Sequence, residues 1–411
     1  MNYLPTELLL SICESLSLTD LYNLRCTDKT RCAVVTPITF RTLRVTSTLK
    51  SARGFLHLVQ AKNVNPYVQE VAFIDAYVDP EDPYRNDIVN PPSPELIDEE
   101  TTTALALAFS LLNHLPALSS LTFMFFGTFA EEGNNADPDQ LFEPSSVLRT
   151  QRAILRAVAS TSHALCLKTL SILNLVTISD PVFDDDKFRS LFRSLEHYSI
   201  STLSYWSTML LGPDNFDTLL TNFWSHTMQH RLIPPPGLAS PLTSLTIHSD
   251  RQAGILPVFD FSQLTYPHLA SVSLKYIVFN DSTGVVDFLI RHKSTLRSLE
   301  LRTCMLTMLH WRPGNRPNPS WAQVYTRLAD ELTELTELQV DAVPDPVRPA
   351  PITNGLSYGM LNPDHGPRTI PIISLSGRGS IPGTEGDQEA LDRFRDVVGV
   401  RRDAAMRVAD E

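Results

Sequence analysis

Long apolar runs are missing from this sequence of 411 residues, and no stretch approaches the ~20 apolar residues that a membrane-spanning helix needs. The most apolar stretch near the start, ELLLSIC at residues 7–13, is too short for a signal peptide and follows no basic residues. We therefore expect a soluble protein with no membrane partner, located in the cytoplasm or the nucleus.

Clusters of lysine and arginine are also missing. The chain has 34 Lys and Arg residues against 46 Asp and Glu residues, which gives a formal net charge of −12 and an isoelectric point near 5.4. Nucleic acids and anionic membranes bind proteins through clustered cations that neutralise phosphates. The composition therefore argues against either partner class where binding depends on overall charge.

Cysteine is scarce and scattered. None of the five cysteines forms a C-x-x-C pair, and their odd number does not suit a disulfide framework. We interpret them as reduced thiols, most of them small residues of the core. They are Cys13, Cys26, Cys32, Cys166 and Cys304.

Signatures of catalysis are absent as well. The sequence has no P-loop, no G-x-S-x-G elbow, no H-E-x-x-H and no cysteine–histidine pair at zinc spacing. His226 and His230 lie four residues apart without a visible third ligand, and the run Asp184–Asp186 is explained as negative charge at a helix start. We expect no enzyme, no cofactor and no metal; an enzyme assembled from distant loops is the alternative.

What the sequence does contain is a leucine-rich N-terminus that predicts three short helices. Pro5 suits the first position of a helix, Ser17 and Asp20 form an S-x-x-D capping box for a second helix, and a third helix is expected over 29–35, before Pro37. The apolar residues on one face of the first helix are Leu8, Leu9, Ile12 and Leu16, and those of the second are Leu21 and Leu24.

This order of residues resembles the F-box family. The matching positions are Leu4-Pro5-x-Glu7-Leu8-Leu9, Ile12, Leu16, Asp20-Leu21, Leu24-Arg25, Thr27-x-Lys29 and Pro37-x-x-Phe40-Arg41-x-Leu43. The resemblance implies a three-helix module that docks on the Skp-type adaptor of a cullin–RING ubiquitin ligase. By position, it assigns the adaptor contact to Leu4, Pro5, Leu8, Ile12, Leu16, Leu21 and Leu24.

A physical argument supports the same expectation. A segment of some forty residues is below the size at which a chain usually stabilises itself, so a neighbour must complete its apolar surface. That neighbour is the adaptor in the docking hypothesis. In the alternative hypothesis it is the rest of the chain, with residues 1–43 forming the N-terminal cap of a free-standing scaffold.

Beyond residue 43 the pattern apolar-x-x-apolar-x-apolar recurs at uneven intervals. Leu242, Leu269 and Leu296 begin three instances that are 27 residues apart, within the ~20–29 residues of a leucine-rich repeat. Residues 242–302 therefore resemble leucine-rich-repeat proteins. The intervening segments that predict helices are 103–115, 151–165, 186–198, 215–232, 284–296 and 320–332.

Together these patterns predict an α/β protein, with a short N-terminal three-helix F-box followed by an irregular leucine-rich-repeat-like α/β solenoid. The expected boundaries are 1–45 for the F-box, 46–345 for the solenoid, and 346–411 for a Pro/Gly-rich segment and a C-terminal helix that packs as a cap or frays. The acidic inserts 79–100 and 127–146 are expected to be long surface loops.

Side chains alternate along a strand, so the residues between the apolar positions should form an open, concave face. This face is interpreted either as a solvated surface or as the binding site for an unidentified target protein. The function that follows is target recognition within a ubiquitin ligase, reached through the adaptor and a cullin. The candidate target-binding residues are Thr246, His248, Ser273, Lys275, Glu300, Arg302, Gln339 and Asp341.

Overall fold

The computed structural model describes residues 5–75, 97–125, 146–204, 213–255, 257–309, 319–341, 356–361, 369–372 and 384–410. The α-helices in these ranges are α1 (Thr6–Ser15), α2 (Leu18–Arg25), α3 (Lys29–Thr39), α4 (Leu49–Gln60), α5 (Glu99–Phe109), α6 (Ser146–Thr161), α7 (Asp186–Ser190), α8 (Pro213–Asn222), α9 (Val285–Arg291), α10 (Trp321–Glu331) and α11 (Asp387–Asp410). A π-helical segment, Phe223–Leu232, continues α8. None of the helices within these ranges has both the length and the apolar character that a membrane span requires.

Twelve described strands form one open, mostly parallel sheet. They are β1 (Thr42–Thr46), β2 (Glu70–Ile74), β3 (Ser120–Met124), β4 (Thr169–Val176), β5 (His197–Leu203), β6 (Ser244–Ala253), β7 (Ser271–Phe279), β8 (Ser298–Arg302), β9 (Met305–Leu309), β10 (Glu337–Asp341), β11 (Ser357–Leu361) and β12 (Thr369–Ile372).

Strands β1 to β8 lie side by side in the order of the sequence and run parallel, and β10 follows β8. Helices carry the chain back between most of these strands, whereas the described residues between β6 and β7 form no helix. This alternation of strand and helix is the geometry of a solenoid. The prediction of an α/β protein with a parallel sheet is confirmed.

The sheet forks at β7, a feature that the sequence did not indicate. Its first part, 271–275, pairs with β8, whereas Val278 and Phe279 pair with β9. The second branch continues from β9 to β11 in parallel and from β11 to β12 in antiparallel fashion. The chain changes branch at Thr303, whose φ of 48° turns the backbone between β8 and β9.

Each strand of the first branch contributes two apolar residues, two positions apart, to rows that run in register across the sheet. All are buried except Leu338, which is half-buried. The first row is Leu43, Val71, Leu121, Leu170, Tyr198, Leu245, Val272, Leu299 and Leu338, and the second is Val45, Phe73, Phe123, Ile172, Ile200, Ile247, Leu274, Leu301 and Val340. Together with the helices they form one continuous core.

A helix is present in each predicted segment, but three end early: α5 ends at Phe109 and not at 115, α9 ends at Arg291 and not at 296, and α7 is the shortest of the three. Residues 186–198 were expected to form one helix, but α7 ends at Ser190. The backbone N–H of Glu196 instead donates to the carbonyl of Lys168 (2.8 Å), and β5 begins at His197. Pairing with β4 therefore prevails over helical periodicity at this point, because it continues the sheet.

The three N-terminal helices pack around a small core of their own, separate from that of the solenoid. It consists of Leu9, Cys13, Leu21 and Val35. The predicted cap of α2 is present, with the backbone N–H of Asp20 donating to the hydroxyl of Ser17 (3.2 Å). The expectation that most cysteines belong to the core was wrong, since of the five only Cys13 and Cys304 are buried.

The predicted end of the third helix was also wrong, because α3 continues through Pro37 to Thr39. Pro37 removes the N–H that would pair with the carbonyl of Ala33, and its ring crowds the same carbonyl. Ala33 is exposed, so water can satisfy that carbonyl. Continuation of the helix buries Thr39, whose hydroxyl donates to the carbonyl of Val35 (2.9 Å).

The C-terminal helix α11 packs along α10 at the end of the array. Leu391, Phe394 and Val398 are buried in the main core. Arg401 donates to the carbonyls of Leu332 (2.7 Å) and Ala329 (2.8 Å), which lie at the C-terminal end of α10 and lack helical partners. This segment was expected either to pack as a cap or to fray. Its first half packs as a cap, whereas residues 402–408 are exposed.

The ring of Phe109 in α5 packs against Phe55, Phe73 and Phe123, with ring centroids 5.2–6.3 Å apart. We expect Phe109→Ala to lower the free energy of unfolding by about 3–5 kcal/mol, because it leaves a cavity in a close-packed cluster. Urea denaturation followed by circular dichroism measures this loss. Leu107→Ala, in the same helix but 50% exposed, should change stability by no more than about 0.5 kcal/mol; equal losses would contradict this account.

Candidate functional site

Two surfaces remain candidates for protein binding, and the first is the outer face of the N-terminal helices. Leu8 and Ile12, four residues apart on α1, are 53% and 42% exposed. On α2, Leu18 and Tyr22 repeat this spacing and are 53% and 42% exposed. Leu10 of α1 is 38% exposed as well, so five large apolar side chains remain in contact with solvent on a segment of about forty residues.

The residues assigned to adaptor binding divide between the outside and the inside of this module. Pro5, Leu8 and Ile12 are exposed, and Leu4 lies outside the described residues. Leu21 is buried, and Leu16 and Leu24 are half-buried against the module's own core. These three side chains face inward because each helix must supply a side chain to that core.

Sequence reasoning did not single out Leu18 and Tyr22. The sequence did contain a signal for them, since Leu18 and Tyr22 are four residues apart, about one helical turn, in the helix predicted to follow Ser17. Tyr22 also packs edge-on against Phe40, with ring centroids 6.1 Å apart, and Phe40 belongs to the core of the solenoid. This ring contact connects the module to the first repeat.

The second surface is the open face of the sheet, formed by strand residues that alternate with the buried rows. Strand pairing places the predicted residues in two adjacent rows. Gln339 and Asp341 are exposed, whereas His248 and Ser273 are buried. The half-buried members are Thr246, Lys275, Glu300 and Arg302.

A hydrogen-bonded chain explains why His248 and Ser273 are buried. The hydroxyl of Ser273 donates to Glu300 Oε2 (2.5 Å), and Arg302 Nε donates to Glu300 Oε1 (2.5 Å). His248 Nε2 lies 2.8 Å from the same hydroxyl. A hydroxyl has one proton to donate, so the imidazole must be the donor in this contact.

The charge state of His248 agrees with this arrangement. Burial lowers its pKa to about 3, and the nearby charges of Lys275 and Arg302 act in the same direction. The imidazole is therefore neutral near pH 7 and has its proton on Nε2 in the hydrogen bond to Ser273.

The trio of Ser273, His248 and Glu300 does not have the geometry of an activated nucleophile. In a catalytic triad the imidazole accepts the proton of the hydroxyl, and the carboxylate orients the imidazole. Here the carboxylate takes the hydroxyl proton and the imidazole is a donor. The chain of hydrogen bonds fixes the side chains of the open face and does not prepare them for acyl transfer.

The described ranges hold no group of three His, Cys, Asp or Glu residues suited to a metal ion. His226 and His230 lie on the π-helical segment with ring centroids 6.2 Å apart, and both are exposed. Asp185 caps α7, because its carboxylate accepts from the backbone N–H of Lys187 (2.9 Å). This contact agrees with the interpretation of the acidic run as helix-start charge.

No family model and no curated protein matches this chain. Among solved structures, it is similar to a chain of the crystal structure of the Rad7 and Elc1 complex in yeast, with 14% sequence identity and a TM-score of 0.25, over 86% of this chain and 90% of that chain. A similarity at this level carries no inference about the function of this chain.

The buried imidazole predicts acid sensitivity. The pKa of His248 in the folded protein is about 3 and its ordinary value is 6.5, so between these values the unfolded state binds a proton that the folded state does not. The contribution of His248 is complete above pH 6.5 and is lost as the pH falls, by up to about 1.4 kcal/mol per pH unit. Urea denaturation at pH 7.5 and 5.5 should reveal a smaller difference in His248→Asn than in the original protein.

Ser273→Ala is the matched control, because it removes the partner hydroxyl but keeps the buried imidazole. It should keep most of the pH dependence. The same dependence in His248→Asn as in the original protein would refute the assignment to His248.

Proposed function

We propose that this chain is the substrate-recognition subunit of a cullin–RING ubiquitin ligase. In this proposal the N-terminal helices bind a Skp-type adaptor and through it a cullin, and the open face of the sheet binds the target protein. The observation that carries the proposal is the solvent exposure of Leu8 and Ile12 on a helical module that has its own core. The F-box-like order of residues supports the choice of adaptor.

Exposed apolar surface on so small a module favours a protein partner. Full burial of one large aliphatic side chain is worth about 1.5–3 kcal/mol. The core of the module is already filled by other residues of α1, α2 and α3. A partner that covered Leu8, Ile12 and Leu18 would therefore gain binding free energy without rearrangement of the module.

The proposed role of the solenoid is positioning. Its open face presents side chains of successive strands at fixed spacings, as recognition surfaces of repeat proteins do. The chain would perform no chemistry itself, and ubiquitin transfer would be the work of the other ligase subunits. The proposed site of action is the cytoplasm or the nucleus.

Substitution of the two exposed α1 residues tests the adaptor contact. We expect Leu8→Ala and Ile12→Ala each to weaken binding of a purified Skp-type adaptor by about 2 kcal/mol or more, the loss typical of anchor side chains. Isothermal titration calorimetry with the full chain measures the effect. Both positions are exposed, so the melting temperature of the variants should change little.

Leu107→Ala is the matched control, since it removes a similarly exposed leucine from α5 in the solenoid. It should leave adaptor binding unchanged. Undiminished binding by the Leu8→Ala and Ile12→Ala double variant would rule out this interface.

A free-standing scaffold is the second candidate function, and contacts at the module boundary favour it. The guanidinium of Arg25 lies 4.9 Å from the ring centroid of Phe40, the same ring that Tyr22 contacts. Under this hypothesis the helices are a cap that the repeats need for stability, and the adaptor has no role.

Removal of residues 1–39, with Phe40 retained, separates the two functions. A docking module with its own core should leave the melting temperature of the repeats within about 2–4 °C, the shift that ~1 kcal/mol produces in a domain of 150–250 residues. Differential scanning calorimetry provides the measurement. Loss of cooperative unfolding in the truncated chain would favour the cap and argue against the docking function.

A further inference from the structure

Two cations lie side by side on the open face of the sheet. Lys275 of β7 and Arg302 of β8 are register partners in adjacent parallel strands, which are about 4.8 Å apart. His248 precedes them in the same row, and Asp341 follows them. Lys275 is half-buried, and the side chain of Arg302 is 32% exposed.

Glu300 supplies one negative charge beside these two cations, because its carboxylate is paired with Arg302. Like charges directly opposite each other on neighbouring strands repel, and partial burial reduces the screening by water. The effect of both cations on the pKa of His248 is a further sign of their joint field.

Backbone strain accompanies the same pair. The residue after each cation has a positive φ, 57° at Tyr276 and 48° at Thr303. These conformations are uncommon for non-glycine residues and rarest for β-branched residues such as threonine, and such strain concentrates at binding sites. Asn174 has a similar φ at the equivalent position of β4, but asparagine adopts it readily.

The guanidinium of Arg302 is held in a fixed orientation. Its Nε donates to Glu300 Oε1 and its Nη2 contacts the same oxygen, while Ser273 fixes the other oxygen of that carboxylate. Glu300 therefore engages two of the five N–H donors of the guanidinium. The Nζ of Lys275 lies 5.7 Å from the ring centroid of Tyr276. Both cationic groups are thus positioned before any partner arrives.

We propose that Lys275 and Arg302 bind an anionic group, a carboxylate or a phosphate, on an extended segment of the target protein that lies across the open face. The inference rests on the proposed target-binding role of this face and is independent of the adaptor contact. Two cations suit one such group, whereas a nucleic-acid backbone requires many. The guanidinium, which Glu300 already orients, limits the ordering cost of binding.

Peptide binding to the full chain, without adaptor, tests the proposal. The probes are fluorescein-labelled nonapeptides of glycine and serine that have at their centre three glutamates, one phosphoserine, or three glutamines. Fluorescence anisotropy should show saturable binding of at least one acidic peptide and none of the glutamine peptide. Preference for glutamate assigns the site to carboxylates, and preference for phosphoserine assigns it to phosphate.

Variants locate the site. Lys275→Ala and Arg302→Ala should each weaken binding of the acidic peptide about tenfold or more, because each removes a charge-assisted hydrogen bond. Lys275→Arg should retain binding. Arg44→Ala is the matched control, since it removes one positive charge from the same face at β1, seven strands away from β8, and it should bind as the original protein does.

Three outcomes would overturn the inference. They are equal binding of the acidic and glutamine peptides, unchanged affinity in both alanine variants, and tighter binding of a single-stranded oligothymidine than of either acidic peptide. The Leu8→Ala and Ile12→Ala double variant should bind the peptide normally. Loss of adaptor binding and loss of anion binding are thereby measured separately, so that either proposal can fail alone.

Discussion

The two in-register rows of apolar side chains are the constraint on which the rest of the fold depends. Side chains alternate along a strand with a period of two, so a slip of one residue would move a strand's apolar pair from the core to the open face. Tyr198 and Ile200 of β5, for example, meet Leu170 and Ile172 of β4 on one side and Leu245 and Ile247 of β6 on the other. Burial of these pairs fixes the register of every strand in the first branch.

That register also determines which polar side chains become neighbours on the open face. Lys275 stands beside Arg302 because Leu274 must stand beside Leu301 in the core. His248 and Ser273 become buried for the same reason, since pairing of β6, β7 and β8 closes the hydrogen-bonded chain to Glu300 over them. Burial of the apolar rows therefore decides which charged side chains become neighbours on the open face.

The N-terminal module follows a different principle, because it is too small to bury its own apolar residues. Its core consists of Leu9 and Cys13 from α1, Leu21 from α2 and Val35 from α3. Leu8 and Ile12, on the adjacent stripe of α1, are left in water. The repeats do not cover them, since the two cores are separate and both side chains are exposed.

Local patterns in the sequence were enough to predict the α/β alternation, the strands of the repeated apolar pattern and a helix after Ser17, while α1 begins one residue later than expected, at Thr6. These features depend on residues a few positions apart, which a single sequence displays. Contacts between distant segments make α7 short, turn Leu21 inward and fork the sheet at β7. Each of these outcomes depends on which distant segments pair, and burial of the whole core selects that pairing.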